Sequence, residues 1–230
     1  MTIASNQGSN GVSGNKMPQN GGSGGRLLPI GGFHPASFND FPGRVAAVIF
    51  TRGCNFRCPW CHNAELIESA GPAGLSDYDP EAVIARLAAR KGKLGGVVIS
   101  GGEPTLHPEL LPFCRQLREL GLAVKVDSNG SRPEVLERLI NAGAVDYLAM
   151  DIKAPLAKYD RLAGVKVDPE AIRKSIALIA AAGIDHQFRT TAVDSLLTAA
   201  DLEQIRRLVP DGSPHKIQQF RPRRSANKED

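Results

Sequence analysis

The sequence predicts an α/β protein whose parallel strands form an open, partial (βα)6 barrel, and three observations carry that prediction. From Arg44 onward, short β-branched or apolar runs alternate with longer stretches of helical spacing, the texture of βα units on a parallel sheet. Four of the five helical stretches begin with proline at or near the first turn, and several end at glycine. Proline loses nothing at that first turn, where its N–H would have no partner, and glycine is a common helix stop. Finally, the residues with chemical character fall just after strands, where both barrels and open α/β sheets place their sites. Six units are too few for a closed eight-stranded barrel. A doubly wound open sheet is the alternative arrangement of the same units.

In chain order, the expected strands are Val45–Phe50, Gly96–Ile99, Ala123–Val126, Val145–Met150, His186–Ala192 and Lys216–Phe220. The expected helices are Pro80–Arg90, Pro108–Leu120, Pro133–Ala142, Pro169–Ala182 and Ala199–Leu208, with Gly121, Gly143 and Gly183 as stops. Residues 1–25 are rich in Gly, Ser, Asn and Gln with few apolar side chains. Such a stretch cannot bury enough surface to offset the entropy of ordering, so it is expected to be a flexible tail. Residues 26–220 make the single domain, and 221–230 a short basic and polar tail. The run Asp40-Phe-Pro-Gly43 reads as a turn ahead of the first strand.

A formal net charge of +4 over 230 residues is mild, and the charges are interspersed. Nucleic-acid binding usually needs a sustained basic stripe, so no nucleic-acid partner is expected. No apolar run approaches the roughly 20 residues needed to span a bilayer, and no signal-peptide apolar region opens the chain. Four cysteines without a disulfide framework suit a reducing compartment, and a cytoplasmic location is expected.

Three of those four cysteines, Cys54, Cys58 and Cys61, fall within eight positions on one loop after the first expected strand. Three thiolates at this C-x3-C-x2-C spacing can hold three corners of a [4Fe–4S] cluster, leaving one iron open to a small molecule. Zinc with His62 as fourth ligand is the other reading, although structural zinc sites usually bring their ligands in two separated pairs. Cys114 lies in an expected helix and reads as a small buried residue. The second expected strand is followed by Gly101, Gly102, Glu103 and Pro104. The glycines allow close backbone approach to a ligand, Glu103 supplies a carboxylate and Pro104 stiffens the bend. Asp127, Ser128 and Asn129 follow the third strand, and Asp151 and Lys153 the fourth. Two carboxylates at one barrel mouth repel unless a cation or a lysine sits with them. Arg189, Gln218, Gln219 and Phe220 lie on the last two strands, and the sequence does not say which of them face inward.

The cysteine loop together with Ser100-Gly-Gly-Glu-Pro104 resembles the radical S-adenosylmethionine superfamily over about residues 26–220. The resemblance implies a [4Fe–4S] cluster and S-adenosylmethionine as cofactors. In that family a reduced cluster cleaves the cofactor's sulfonium to give a 5′-deoxyadenosyl radical. It further implies that the segment Gly101–Pro104 binds the cofactor's ammonium group and that Trp60 lies near the adenine. Asp127-Ser-Asn-Gly130 and Asp151-Ile-Lys153 look like matching motifs of glycyl-radical-enzyme activases. On that resemblance Asn129 or a neighbour such as Ser128 contacts the ribose and Lys153 meets the cofactor's carboxylate. Asp127 and Asp151 then hold a monovalent cation.

Residues 31–63 closely resemble the anaerobic ribonucleoside-triphosphate reductase activating proteins. The implied activity is abstraction of hydrogen from a backbone glycine of a partner, an anaerobic ribonucleotide reductase. A flavodoxin or ferredoxin-type protein would be the electron donor. One extra cysteine cannot build a second cluster, which disfavours reactions that need one. Activation of a different glycyl-radical enzyme and a small-molecule enzyme similar to 7-carboxy-7-deazaguanine synthase remain alternatives. So does a non-catalytic metal-binding module, although a mere metal clip has no need of the Gly-Gly-Glu-Pro and Asp-Ile-Lys segments.

Overall fold

The computed structural model describes residues 28–68 and 78–222. One seven-stranded sheet runs in the order β1 (Ile30–Ser37), β2 (Ala46–Thr51), β3 (Gly96–Gly101), β4 (Ala123–Ser128), β5 (Tyr147–Asp151), β6 (Asp185–Ala192) and β7 (His215–Gln219). β1 pairs antiparallel with β2, and every later pairing is parallel. The crossovers carry α1 (Pro80–Ala88), α2 (Leu110–Glu119), α3 (Pro133–Asn141), α4 (Tyr159–Ala163) with α5 (Pro169–Ala181), and α6 (Ala199–Arg206).

Spatial order follows chain order from β2 to β7 without reversal. Right-handed crossovers therefore keep adding helices to the same face, and the sheet curls towards a barrel. A doubly wound sheet would reverse its order at a switch point, and this one does not. The sheet stays open, with β1 and β7 as its two edges.

The period of two along each strand sorts side chains between two cores. Ala47 and Ile49, Val97 and Ile99, Val124 and Val126, and Leu148 and Met150 face the helices in the larger core. Their alternates Ala46, Val48, Val98, Tyr147 and Ala149 turn inward and join Phe41 in a smaller one. On β4 the inward alternates are Lys125 and Asp127. Polar chemistry is thereby delivered to the inside of the barrel.

The expected strands and helices are all present, with ends shifted by a few residues. Pro80, Pro133 and Pro169 open their helices, and Asp79 and Asp168 cap α1 and α5 by accepting backbone N–H groups of the first turn. Pro108 instead precedes its helix, which starts at Leu110. Two elements correct the sequence reading. Ile30–Ser37, where no element is expected, forms β1, whose irregular register is broken between Ile30 and Gly32 and between His34 and Ser37, while the turn expected over residues 40–43 is present. Proline and paired glycines suppress the alternation that marks a strand, yet they are tolerated at a sheet edge. The second is α4, too short at five residues to register as a helical period. The tail expected over residues 1–25 lies outside the described residues, as does all of 221–230 beyond Pro222. Among the described residues no helix is long and apolar enough to cross a membrane.

α6 starts with a capping box in which Thr198 and Asp201 exchange hydrogen bonds, and Lys158 Nζ adds an ion pair to Asp201 at 2.8 Å. The Lys158 hydrogen bond, with those from Thr198, lowers the Asp201 pKa from 3.8 to about 2. A depressed acid stabilises the fold above its unfolded pKa and loses that contribution as pH falls through the folded one. Urea melts should therefore find Asp201→Asn less stable than the parent at about pH 6, with the gap narrowing below about pH 4 and closing near pH 2. A gap of constant size across that range would remove Asp201 as its source.

Candidate active site

A cavity of about 350 Å³ opens at the C-terminal ends of the parallel strands, within the size range of small-molecule sites. Cys54, Cys58 and Cys61 line it, together with Trp60, Gly101, Gly102 and Glu103, Asp127, Ser128 and Asn129, and Asp151 and Lys153. Pro104 alone of the expected site residues is absent from the lining; it is buried in the 3-10 turn that follows Glu103.

The cysteine loop is fixed at several points. Gly53 N and Cys54 N donate to Leu66 O and Ile67 O, closing the loop on itself. Arg57 N donates to Ala163 O at the end of α4, and Phe56 packs edge-on against Tyr159 of the same helix. Asn55 donates to Ser131 Oγ at 2.8 Å and accepts from Asn129 Nδ2 at 2.9 Å, tying the loop to the one after β4. Burial raises the Cys54 pKa to about 11 and raises that of Cys58 as well, against the pull of Lys153. Metal binding must displace the protons these thiols hold.

Gly101 and Gly102 make a close approach within the chain itself. A Cβ on Gly102 would lie 2.0 Å from Gly53 O, and one on Gly101, whose φ is +110°, would lie 2.4 Å from Thr51 N. Gly102 N donates to Thr51 O and Glu103 N to Gly53 O. The two glycines thus stitch the loop after β3 to the root of the cysteine loop. Glu103 is almost wholly buried. Its carboxylate accepts from Thr105 N, Thr105 Oγ1 and Ser128 Oγ, and from Asn129 N at 2.6 Å. Burial raises the Glu103 pKa even so, against those four donors. Its side chain clamps the loops after β3 and β4 together, leaving little of it for a ligand. Trp60 is 8% exposed and belongs to the larger core while also touching the cavity.

Farther in, Arg189 Nε donates to Asp151 at 2.9 Å and its Nη1 to Asp127 at 3.2 Å. Lys153 Nζ pairs with Asp151 at 3.1 Å, and Lys125 Nζ with Asp127 at 2.5 Å. Burial alone would raise the Asp151 pKa; Arg189 and Lys153 reverse this and hold its carboxyl well below the usual carboxylate range. Lys153 is shifted up in turn, because Asp151 outweighs the opposing effect of burial. Sequence reasoning expected a monovalent cation between the two aspartates, and Arg189 lies there. Of the undecided pair on β7, Gln218 lines the cavity and Gln219 does not. Lys125 was overlooked, although a lone charge in an apolar strand, two residues before Asp127, was a signal of a shared face.

Among the described residues no three His, Cys, Asp or Glu side chains are placed to share one metal ion, as a tetrahedral zinc would require. His62 Nε2 contacts Arg221 O at 2.9 Å, and its ring stacks on Phe220. The radical SAM superfamily model matches residues 48–209. The chain belongs to the radical SAM superfamily. A protein of Methanocaldococcus jannaschii named "Putative glycyl-radical enzyme activating enzyme" is 35% identical over 205 residues, which cover 87% of this chain and 83% of that protein. The 7-carboxy-7-deazaguanine synthase of Thermococcus kodakarensis is 30% identical over 129 residues, 48% of this chain and half of that protein. Streptococcus suis SuiB bound to S-adenosylmethionine superposes with a TM-score of 0.58 at 14% identity, over 76% of this chain and 40% of that one; this likeness shows the fold alone. Superfamily membership implies a [4Fe–4S] cluster and S-adenosylmethionine. The donor set fits both, with three thiols on one loop, a polar cavity beside them and cations outnumbering carboxylates along one wall.

Proposed function

We propose that this protein is a glycyl-radical enzyme activase. It holds a [4Fe–4S] cluster through Cys54, Cys58 and Cys61, binds S-adenosylmethionine beside it, and takes hydrogen from a backbone glycine of an anaerobic ribonucleotide reductase. The observation that carries the reading is the meeting of the cysteine loop, the Gly-Gly-Glu-Pro loop and the charged wall from β4 to β6 at one cavity. When bound, the cluster would supply a low-potential electron and the cofactor a reducible carbon–sulfur bond, which together are the source of hydrogen-abstracting radical chemistry.

The chain's own residues bind, orient and exclude water. Three cations against two carboxylates leave the wall net positive, which suits the cofactor's carboxylate, with Lys153 nearest the cysteine loop as its partner. Backbone groups of residues 101–103 and the side chains of Ser128 and Asn129 offer polar contacts for the ammonium and ribose. Trp60 provides an apolar surface beside the cysteines. Reacting atoms must come within about 3–3.5 Å for the hydrogen to transfer, so a glycine-bearing loop has to enter the cavity mouth. The identity of the partner rests on the resemblance of residues 31–63; the relative of M. jannaschii supports the activase class.

Anaerobically reconstituted protein given dithionite or reduced flavodoxin should convert S-adenosylmethionine to methionine and 5′-deoxyadenosine. Adding an anaerobic ribonucleotide reductase should produce the electron-paramagnetic-resonance doublet of a glycyl radical, and a Gly→Ala change in that partner should remove it. Brisk cleavage with no doublet would move the reading to a small-molecule substrate, as the likeness to the deazaguanine synthase suggests. No cleavage under any reductant would sink it.

A further inference from the structure

Asp127 at the end of β4 and Asp151 at the end of β5 face the cavity from neighbouring strands, and a monovalent cation was the sequence-based expectation for their shared charge. The side chains do not fit such an ion. Asp127 Oδ1 accepts from Lys125 Nζ at 2.5 Å, and its Oδ2 accepts from Arg189 Nη1 and Ser100 Oγ, both at 3.2 Å. Asp151 Oδ1 accepts from Arg189 Nε at 2.9 Å and Oδ2 from Lys153 Nζ at 3.1 Å. Every oxygen of the two carboxylates therefore holds a cationic donor. A hard cation binds through several oxygens at once, and it would have to displace these donors while adding charge to a wall that is already net positive.

Lys125 is the least expected member of this set. Its side chain is only 4% exposed. It pairs in register with Tyr147 of β5, and its Nζ lies 5.8 Å from that ring's centroid. Burying an ammonium is costly unless it is paired, and Asp127, two residues on and on the same face, supplies the pair. Arg189 is level with Asp151 in the sheet, and Arg189 and Lys153 line the cavity beside the two aspartates. Among the described residues, Lys125 is the one whose side chain bonds the Asp127 oxygen that Arg189 leaves free.

We infer that Lys125 is a built-in counter-ion: it takes the place of a bound monovalent cation and fixes Asp127, so that cofactor binding is independent of potassium and sodium. Lys125 acts through Asp127 and is a positioning residue. The inference rests on the proposed function only in taking S-adenosylmethionine as the ligand.

The test is equilibrium binding of S-adenosylmethionine to the unreduced, cluster-loaded protein, with choline, lithium, sodium or potassium as the sole monovalent cation at constant ionic strength. Wild-type affinity should agree within about twofold across the four salts. Lys125→Met keeps the length of the stem and removes the charge; it should bind about tenfold more weakly in choline and recover on addition of potassium or ammonium. Wild-type affinity that rises about tenfold with potassium overturns the inference, as does a loss in Lys125→Met that no small cation restores. If Lys125→Met fails to load its cluster, the four-salt comparison on the wild type decides alone. Absence of binding in every salt would instead count against the proposed function.

Discussion

Alanine at Cys54, Cys58 or Cys61 should leave the protein unable to hold a [4Fe–4S] cluster, taking iron after anaerobic reconstitution from about four per chain to almost none. All three thiols line one cavity and are only partly buried. No other cysteine is near enough in sequence to substitute, because Cys114 sits on α2 packed into the larger core. Burial pushes the Cys114 thiol up to about 12, so it remains a neutral, inert filler. Cys114→Ala should load iron as the parent does and lose only about 1 kcal/mol of stability from the lost packing. Iron analysis, the visible absorption of the cluster and a thermal melt separate the two classes of variant. One equivalent of zinc with no iron, in protein from cells grown without oxygen, would refute the cluster assignment.

Gly102→Ala should be among the most damaging single methyl groups that can be added near the site. The new Cβ would meet Gly53 O at 2.0 Å and Gly53 C at 2.7 Å. Both atoms are backbone, so no side chain can swing aside to relieve the clash. Gly53 immediately precedes Cys54, and displacing it breaks the Glu103 N to Gly53 O bond and moves the first thiol. A loss on the order of 3 kcal/mol, with impaired cluster loading, is expected from overpacking against fixed backbone. Gly212→Ala is the control. Its φ of +81° strains an alanine, but nothing lies within 4 Å of the added carbon, so a cost of about 1 kcal/mol and full cluster loading are expected. Equal losses for the two variants would mean that the contact with Gly53 is not what demands glycine at 102.

The parts of the site legible in the sequence are those whose geometry is local. Three cysteines within eight positions meet on a single loop wherever it lies. The period of two puts Val97 and Ile99 on one face and Val98 on the other, and they fall in the two different cores. Proline at helix starts marked α1, α3 and α5 because the constraint acts within one turn. Resemblance added the cofactor expectations.

What the chain alone left open depended on partners distant in sequence. The inward face of β6 became known only through the register that sets Asp151 opposite Arg189, and with it the bridge between two carboxylates that had been assigned an ion. Glu103 is a carboxylate in a loop by sequence; four donors, two of them from residues 25 and 26 positions later, turn it into a clamp. β1 has no alternation of its own and exists because β2 offers it an edge. Composition and short-range periodicity thus determined most of the elements and the cysteine loop, and the resemblance pointed to the class of chemistry. Which charges neutralise one another was decided by strand pairing, since Coulomb and hydrogen-bond energies depend on distances that only the assembled sheet defines.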